Sequence, residues 1–449
     1  MRTTGYRRLF LGFSVSLFLA AAVFAAEPAS MPKLSVTSDR PSLRMKSGES
    51  ITLVGSMTEN GKPAAGRLLR YEVYRDGNLA ESGYIPGDQE IKRVLTATGP
   101  GSLSLRIVVC DGAKKPLRDK RNRLVTTGTG ALVDEEKILP GAPAPADFDA
   151  FWTAARKKLD EVPVKAVEVP VPLKGKAAET LRAFDVKVDC AGGAPVSGYL
   201  VVPADAKPKS LPAIVVYHGA GVRSANLRTN HGRRALVFDV NAHGIENGKP
   251  KKFYDELWKK GRLKAYMWQN LDKPAELTPE RIYFYGMYLR VMRALDYIKT
   301  RPEWNGRDLI VQGHSQGGGQ SLAAAALDPQ VTRCIAMVPA NGDHAAALAG
   351  RAPGWPRFCK NPKAPNFKKI LANVSYFDNV NFAPRIKCET WLSTGMIDNV
   401  CVPTSVLAVC NSLPVQTVKH LYISPDGGHE TQNPEAVKEL RRFLAETVK

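Results

Sequence analysis

The sequence predicts an α/β domain preceded by a small all-β domain. Three observations support this organisation. Short β-rich segments recur before residue 135, strand-like and helix-like segments alternate after residue 147, and a Gly-x-Ser-x-Gly turn lies between a strand and a helix near residue 315. A chain of 449 residues is long enough for two or three domains, and its 44% hydrophobic content is sufficient for a large buried core.

The first 26 residues predict an export signal. Arginines precede an apolar run at residues 9–24, and the small residues Ala25 and Ala26 follow it. This layout is typical of a secretory signal peptide that is cleaved after Ala25 or Ala26. The run is short for a membrane-spanning helix, and no later segment is apolar enough to span a bilayer. We therefore expect a secreted or periplasmic protein, with a retained anchor as the alternative.

The formal net charge of +20 favours anionic partners such as acidic polysaccharides. Lysines and arginines are scattered and no nucleic-acid-binding motif accompanies them, so we expect solvated basic faces and no specific nucleic-acid partner. A second interpretation of this charge is that it binds acidic substituents on a sugar polymer.

The seven cysteines lack C-x-x-C spacing and nearby histidines. The sequence thus predicts no metal site and no cofactor, and the apolar surroundings of the cysteines favour buried thiols.

Residues 33–135 are predicted to form a small immunoglobulin-like β-sandwich. Turn signals such as Asn60-Gly61 and Asp111-Gly112 separate its strands, and no helical pattern intervenes. The predicted strands lie at residues 50–54, 68–74, 91–97, 103–109 and 124–127. We expect a packing or spacing module, because no aromatic platform supports a carbohydrate-binding role.

A Pro/Ala-rich linker at residues 136–146 separates this domain from a catalytic domain at residues 147–449. Asp147 is expected to cap a helix that continues through Leu159. Further helices are predicted at residues 284–300 and 320–327. Apolar strands interleaved with helices imply a mainly parallel sheet that is covered on both faces. The strands are predicted at residues 181–188, 196–202, 213–217, 235–239, 309–311, 334–338, 389–394 and 419–423.

The most informative motif is Gly313-x-Ser315-x-Gly317, which has the pattern of a nucleophile elbow. A serine hydroxyl is a poor nucleophile, so it must protrude from a tight turn towards a base and beside backbone N–H groups. Glycines flank the serine because the neighbouring strand and helix leave no room for side chains. An ordinary Gly-rich turn is the alternative. Together with the parallel sheet, the elbow predicts an α/β-hydrolase fold.

Catalytic residues of this fold follow the order serine, acid, histidine along the chain. His429 lies in a Gly-rich loop after the last predicted strand, whereas His420 opens an apolar strand. Asp398 ends a strand just before the histidine strand, and Asp343 after the preceding strand competes with it. Either aspartate could simply cap a turn. We predict Ser315 as nucleophile, His429 as base and Asp398 as acid.

Two backbone N–H groups must bind the oxyanion. One is expected from Gln316, directly after the nucleophile, and the second from the loop at residues 215–221.

Several segments together resemble the acetyl xylan esterase and cephalosporin C deacetylase family, known as carbohydrate esterase family seven. The matching segments lie at residues 145–152, 217–219, 288–298, 315–318, 375–378, 381–383, 396–404 and 428–430. The resemblance implies an α/β-hydrolase that removes acetyl groups. It also implies Ser315, Asp398 and His429 as the triad, and the backbone of Tyr217 and Gln316 as the oxyanion hole.

The sequence departs from this family at one loop, where members usually carry Arg-Gly-Gln and this chain has Asn241-Ala242-His243. The family motif is considered structural, so we expect an altered loop geometry. Members commonly form hexamers, which makes a homo-oligomer one expectation. The added β domain could prevent that assembly.

The predicted function is a secreted serine carboxylesterase that removes acetyl groups from xylan fragments or related sugars through an acyl-enzyme. Its partner would be an acetylated oligosaccharide or another small ester. One alternative is a hydrolase of other specificity, such as a prolyl-oligopeptidase-type peptidase or another carbohydrate esterase. The other is a non-catalytic carbohydrate-binding protein with a degenerate hydrolase domain. The aromatic-rich segment at residues 249–280 is interpreted either as a pocket wall or as ordinary packing.

Overall fold

The computed structural model describes residues 31–230, 234–430 and 434–447. The predicted signal peptide lies outside these residues. Before residue 134, the described chain forms nine strands in two sheets. The strands are β1 (Lys33–Ser38), β2 (Arg44–Met45), β3 (Ser50–Glu59), β4 (Lys62–Pro63), β5 (Leu68–Arg75), β6 (Asn78–Pro86), β7 (Ile91–Thr96), β8 (Gly101–Cys110) and β9 (Thr126–Val133).

The two sheets pack face to face, as the sandwich prediction requires. One has the order β1-β3-β4, with β7 also paired to β3, and the other has the order β2-β9-β8-β5-β6. Side chains alternate between buried and partly exposed along β3, because successive residues of a strand point to opposite faces. Ile51 and Leu53 of one sheet and Leu69 and Leu105 of the other belong to one apolar core.

The rest of the described chain forms a single nine-stranded sheet in the order β10-β11-β12-β14-β13-β15-β16-β17-β18. The three strands at one edge are antiparallel to their neighbours, and the remaining strands run parallel from β14 to β18. The strands are β10 (Ala166–Pro170), β11 (Leu181–Val188), β12 (Val196–Pro203), β13 (Leu211–Tyr217), β14 (Leu236–Asn241), β15 (Trp304–His314), β16 (Arg333–Met337), β17 (Glu389–Gly395) and β18 (Lys419–Ser424).

Helices cover both faces of this sheet. Alternate residues of β13 separate into two cores: Val215 and Tyr217 pack on the side of the long helix α4, whereas Ile214 and Val216 share a cluster with Leu444 of α9. The helices are α1 (Phe148–Asp160), α2 (Lys176–Thr180), α3 (Lys251–Lys259), α4 (Tyr283–Thr300), α5 (Gln316–Leu327), α6 (Phe367–Val374), α7 (Asn379–Phe382), α8 (Pro403–Ser412) and α9 (Pro434–Thr447).

The predicted fold class is confirmed, whereas several elements, among them β1, β6 and α8, were not predicted. Strand β10 was not predicted, because its residues lie at an exposed edge and bury no face. Helix α5 begins at Gln316 rather than at residue 320; the prediction began too late because the first turn is rich in glycine, which disfavours helices. Asp147 precedes α1 as predicted, but its side chain does not cap the helix and instead accepts a hydrogen bond from the hydroxyl of Tyr376 at 2.5 Å.

All seven cysteines are free thiols, and most of them are buried. Among the described residues, no helix is both long enough and apolar enough to cross a membrane. The residue boundaries of the domains and of the linker stay predictions.

Candidate active site

Ser315 lies at the turn between the end of β15 and the start of α5. Its backbone angles, φ 58° and ψ −122°, are strained for a residue with a side chain, at a typical cost of about 1–3 kcal/mol. Two hydrogen bonds hold the turn: Ser315 N donates to the carbonyl of Met337 at 2.9 Å, and Ala340 N donates to the carbonyl of Ser315 at 3.0 Å. The strand-to-helix turn therefore presents the serine side chain in one fixed direction.

The flanking glycines are required because the backbone is crowded. A Cβ atom on Gly313 would lie 2.2 Å from the carbonyl carbon of Gly317, and a Cβ on Gly317 would lie 2.0 Å from the carbonyl oxygen of Tyr217. Both distances are far below van der Waals contact. The elbow therefore packs backbone against backbone, and it brings the end of β13 next to Ser315.

His429 lies between Ser315 and Asp398. Its Nε2 atom is 2.9 Å from the hydroxyl of Ser315, and its Nδ1 atom is 2.9 Å from Oδ2 of Asp398. Asp398 Oδ1 accepts hydrogen bonds from the backbone N–H groups of Val400 and Cys401, at 2.8 and 2.9 Å. This arrangement has the geometry of a nucleophile, a base and an orienting acid.

Opposing effects act on the pKa of His429. Burial lowers this pKa, whereas the hydrogen bond and the negative charge of Asp398, together with the charge of Glu430, raise it by more. The pKa of His429 therefore lies above its ordinary value of 6.5. Asp398 thus favours the imidazolium form that a general base acquires after it takes a proton.

The alternative triad residues are engaged elsewhere. Asp343 is fully buried; its carboxylate accepts hydrogen bonds from Gly141 N and from the guanidinium of Arg351, both at 2.8 Å. His420 is exposed on β18 and lies 2.9 Å from a carboxylate oxygen of Glu389. Asp343 thus forms a buried ion pair with Arg351 and a hydrogen bond to the distant segment at Gly141, and His420 forms a surface contact.

The loop after β13 lies against the nucleophile. A Cβ atom on Gly219 would be 3.5 Å from Cβ of Ser315 and 3.2 Å from the carbonyl oxygen of His314. Gln316 is the first residue of α5, so the helix itself has no acceptor for its backbone N–H. Tyr217 and Gln316, the two residues named for the oxyanion hole, therefore flank Ser315.

A polar network that the sequence did not predict supports this loop. The hydroxyl of Tyr266 donates to Oε1 of Gln316 at 2.6 Å, and the Tyr266 ring packs against that of His243 with 4.6 Å between centroids. His243 Nε2 donates to the carbonyl of Gly221 at 3.1 Å, and its Nδ1 accepts from the hydroxyl of Tyr283 at 2.7 Å. The altered loop at residues 241–243 therefore braces the segment next to the elbow.

His218 links the same two loops. Ala242 N donates to His218 Nε2 at 3.1 Å, which leaves the proton on Nδ1 to be donated to the carbonyl of Gly219 at 2.8 Å. Burial lowers the pKa of His218 to about 4, so the ring stays neutral at physiological pH. Sequence spacing contained no signal for the contact between Ala242 and His218, because it joins two different loops.

A cleft of about 570 Å³ opens over Ser315 and His429, a volume in the usual range for small-molecule sites. Trp355 and Val400 contribute apolar surface. The charged side chains among its described lining residues are Arg223, Arg228, Arg441 and Glu430. No group of histidine, cysteine, aspartate and glutamate in the described chain is arranged to hold a metal ion.

Comparisons with known proteins agree with this architecture. Residues 133–447 match the family described as acetyl xylan esterase (AXE1). The acetyl esterase Axe7A of Xylanibacter ruminicola is 32% identical over 348 residues, which cover 75% of this chain and 72% of that protein.

Two solved structures have the same fold. The acetyl xylan esterase of Paenibacillus sp. R4 is 27% identical, with a TM-score of 0.57, and the alignment covers 70% of this chain and 98% of that one. Acetyl xylan esterase 1 of Thermoanaerobacterium sp. JW/SL YS485 is 21% identical, with the same TM-score and coverage. The resemblance to this family is thus confirmed, and the β-sandwich lies almost entirely outside the matched region. The chain belongs to the acetyl xylan esterase family and is a carboxylic ester hydrolase.

Proposed function

We propose that this protein is a secreted serine esterase that removes acetyl groups from xylan fragments or related acetylated sugars. The observation that carries the proposal is the continuous hydrogen-bonded chain from Asp398 through His429 to Ser315 at a strained elbow. The name of the relative Axe7A, an acetyl esterase, supports the choice of acyl group. The basic and apolar N-terminal segment supports export.

In the first half of the reaction, Ser315 Oγ attacks the acetyl carbonyl carbon while His429 Nε2 accepts its proton. Asp398 keeps the other ring proton on Nδ1 and stabilises the imidazolium that forms. The backbone N–H groups of Tyr217 and Gln316 donate to the carbonyl oxygen as it becomes negative. A donor of this kind typically lowers the barrier by about 3–4 kcal/mol.

The tetrahedral intermediate then collapses. His429 donates its proton to the departing sugar oxygen, which leaves the acetyl group covalently attached to Ser315. A water molecule next gives a proton to His429 and attacks the acyl carbonyl. Acetate leaves and Ser315 regains its proton, so the site returns to its starting state.

A substrate panel with one active-site variant tests this proposal. Acetate release would be measured from acetylated xylo-oligosaccharides and other acetylated sugars. Release of ferulate from feruloylated sugars and cleavage of a peptide substrate would be measured beside it. We expect turnover of the acetylated sugars that Ser315→Ala abolishes, with an unchanged circular dichroism spectrum and melting temperature. Unchanged turnover in Ser315→Ala would refute the mechanism. Preferred cleavage of the peptide would favour a peptidase instead.

A further inference from the structure

The N-terminal sandwich packs against the segment that carries Asp398. This segment, residues 396–402, connects β17 to α8 and is called the acid loop below. Tyr74 and Ser104 of the sandwich face Ile397 and Asn399 across a cavity of only about 10 Å³. Such a space is at the lower limit for one water molecule. The acid loop therefore has a nearly closed wall of sandwich residues on one side.

One close approach is at Gly77, in the turn between β5 and β6. A Cβ atom on Gly77 would lie 2.6 Å from Cγ1 of Val402 and 3.0 Å from Cβ of Ala352. A second close approach joins Gly128 of β9 to the acid loop, where a Cβ atom would lie 2.7 Å from Cγ2 of Ile397. At both points the sandwich backbone itself contacts the acid loop, so neither side can move inward.

Hydrogen bonds fix the turn in this position. Ala352 N donates to the carbonyl of Asp76 at 2.8 Å, and Asn78 Nδ2 donates to the carbonyl of Gly350 at 3.0 Å. These bonds lie on either side of Gly77, and both join the sandwich turn to the segment before Trp355. The turn is thus held against Val402 by polar contacts as well as by packing.

Displacement of the acid loop would act directly on Asp398. Its Oδ1 is held by the N–H groups of Val400 and Cys401, the two residues before Val402, and its Oδ2 contacts His429. We propose that the sandwich sets the position of the acid loop, which makes Gly77 a positioning residue for the esterase reaction. This inference rests on the proposed function, because it assigns to the sandwich the placement of the triad acid.

The test compares Gly77→Val with Gly61→Val, a matched control. Both glycines have left-handed backbone angles, φ 75° and 76°, and both lie in tight turns of the sandwich, but a Cβ atom on Gly61 would meet nothing within 4 Å. We expect Gly77→Val to lower kcat on the order of 10-fold with little change in KM, because small displacements of catalytic groups are costly. Gly61→Val should keep the wild-type kcat.

The pH profile separates positioning from simple destabilisation. Burial lowers the pKa of His429, whereas Asp398 and Glu430 raise it, so displacement of Asp398 removes part of the opposing effect and lowers that pKa. The rising limb of kcat/KM should therefore shift to lower pH in Gly77→Val. A loss of folded protein alone would reduce activity without moving the limb.

Two further variants keep the test decisive. Gly77→Ala against Gly61→Ala repeats the comparison with a single methyl group if the valine variant does not fold. Val402→Ala in the Gly77→Val background removes the contacted side chain, so it should restore much of the lost kcat. Equal kcat values and pH limbs in the Gly77 and Gly61 variants would overturn the inference. A Ser315→Ala variant that turns over substrate at the wild-type rate would instead overturn the proposed function.

Discussion

At the scale of single residues, the proposed role of His429 as the base predicts how the reaction should depend on pH. The imidazole must be neutral to accept a proton from Ser315, so activity should rise as pH increases through the pKa of His429. Because Asp398 and Glu430 together outweigh the effect of burial on the pKa of His429, the midpoint of the rising limb of kcat/KM should lie above 6.5. Initial rates on a small acetate ester from pH 5 to 9 measure this midpoint. A flat profile between pH 5 and 8 would contradict a histidine base.

Substitution of the two candidate acids should affect different quantities, kcat for Asp398 and stability for Asp343. Asp398→Asn removes the charge that stabilises the imidazolium and favours the wrong tautomer, so kcat should fall by about 10⁴-fold. Asp343→Asn breaks a buried ion pair with Arg351, which typically costs about 3–5 kcal/mol of stability. Its kcat per folded molecule should change little.

Kinetics and thermal denaturation on both aspartate variants distinguish the two roles. Arg385 and its partner Asp149 form a partly exposed pair, and Asp149→Asn serves as a control that should change neither quantity much. If Asp343→Asn were inactive and Asp398→Asn active, the assignment of the acid would be wrong.

The sequence contained enough to propose these side chains. The elbow motif identifies Ser315, and the order of strands leaves few histidines and aspartates in loops that reach the same sheet edge. The sequence could not predict the surroundings of the competing carboxylate, Asp343. Asp343 also follows a parallel strand, and it is distinguished from Asp398 by its contacts with Gly141 and Arg351 and by the contact of Asp398 with His429. These contacts are set by tertiary packing rather than by local spacing.

At the scale of elements, the start of α5 and the loop after β13 are coupled through Tyr266. The Tyr266→Phe variant removes the hydroxyl that donates to Gln316 Oε1 and leaves this amide oxygen buried without that donor. Such a loss typically costs about 1–3 kcal/mol. Because Gln316 contributes its backbone N–H to the proposed oxyanion hole, kcat should fall several-fold while KM stays similar.

Tyr288→Phe is the matched control for this prediction. Tyr288 is also fully buried, and its hydroxyl accepts a hydrogen bond from Asn341 at 3.2 Å rather than contacting Gln316. Both variants should lose stability, but only Tyr266→Phe should lose kcat per folded molecule. Steady-state kinetics and melting temperatures measure the two effects separately. Equal kcat losses would show that the Tyr266 hydroxyl has no specific role next to the elbow.

Helices and strands were predictable where their sequence shows one apolar face or one continuous apolar run. Strand β11 begins and ends at the predicted residues, and α4 begins one residue before the predicted start. Helix α8 was not predicted because nearly all of its residues are buried, which removes the periodic pattern of an amphipathic helix. The segment at residues 249–280 was ambiguous for a similar reason: Tyr266 is fully buried and Trp268 is partly exposed, so no single period describes it.

At the scale of the whole molecule, the sandwich and the α/β sheet meet beside the acid loop. The sequence predicted both parts from their different periodicities, but it had no means of predicting their contact. Several residues that make the contact, among them Gly77 and Val402, are small or apolar, and nothing in the local sequence of either segment indicates an interface between domains. The sequence of the turn Asp76-Gly77 is that of an ordinary turn, and so is the sequence of the acid loop. Neither segment therefore indicates that the two pack against each other.

The chain has a formal net charge of +20, and some of its arginines line the cleft. These arginines should affect which substrates bind. Arg228 is neutralised by Asp239 at 2.6 Å, whereas Arg223 and Arg441 line the cleft as exposed cations against Glu430. An acetylated oligosaccharide that carries a uronic acid should therefore have a lower KM than its neutral counterpart at low ionic strength. The advantage should disappear near 1 M salt, because the Debye length falls from about 30 Å at 0.01 M to about 3 Å.

KM values for the two substrates at both salt concentrations test this preference. Arg441→Gln should reduce the advantage of the uronic acid, because it removes a cation from the cleft. Arg442→Gln is the matched control: it makes the same charge change on the same helix, but Arg442 pairs with Glu439 at 2.6 Å and does not line the cleft. Similar effects of both variants would assign the preference to net charge rather than to the cleft. Equal KM values for the charged and neutral substrates at low salt would show that these arginines do not select substrates.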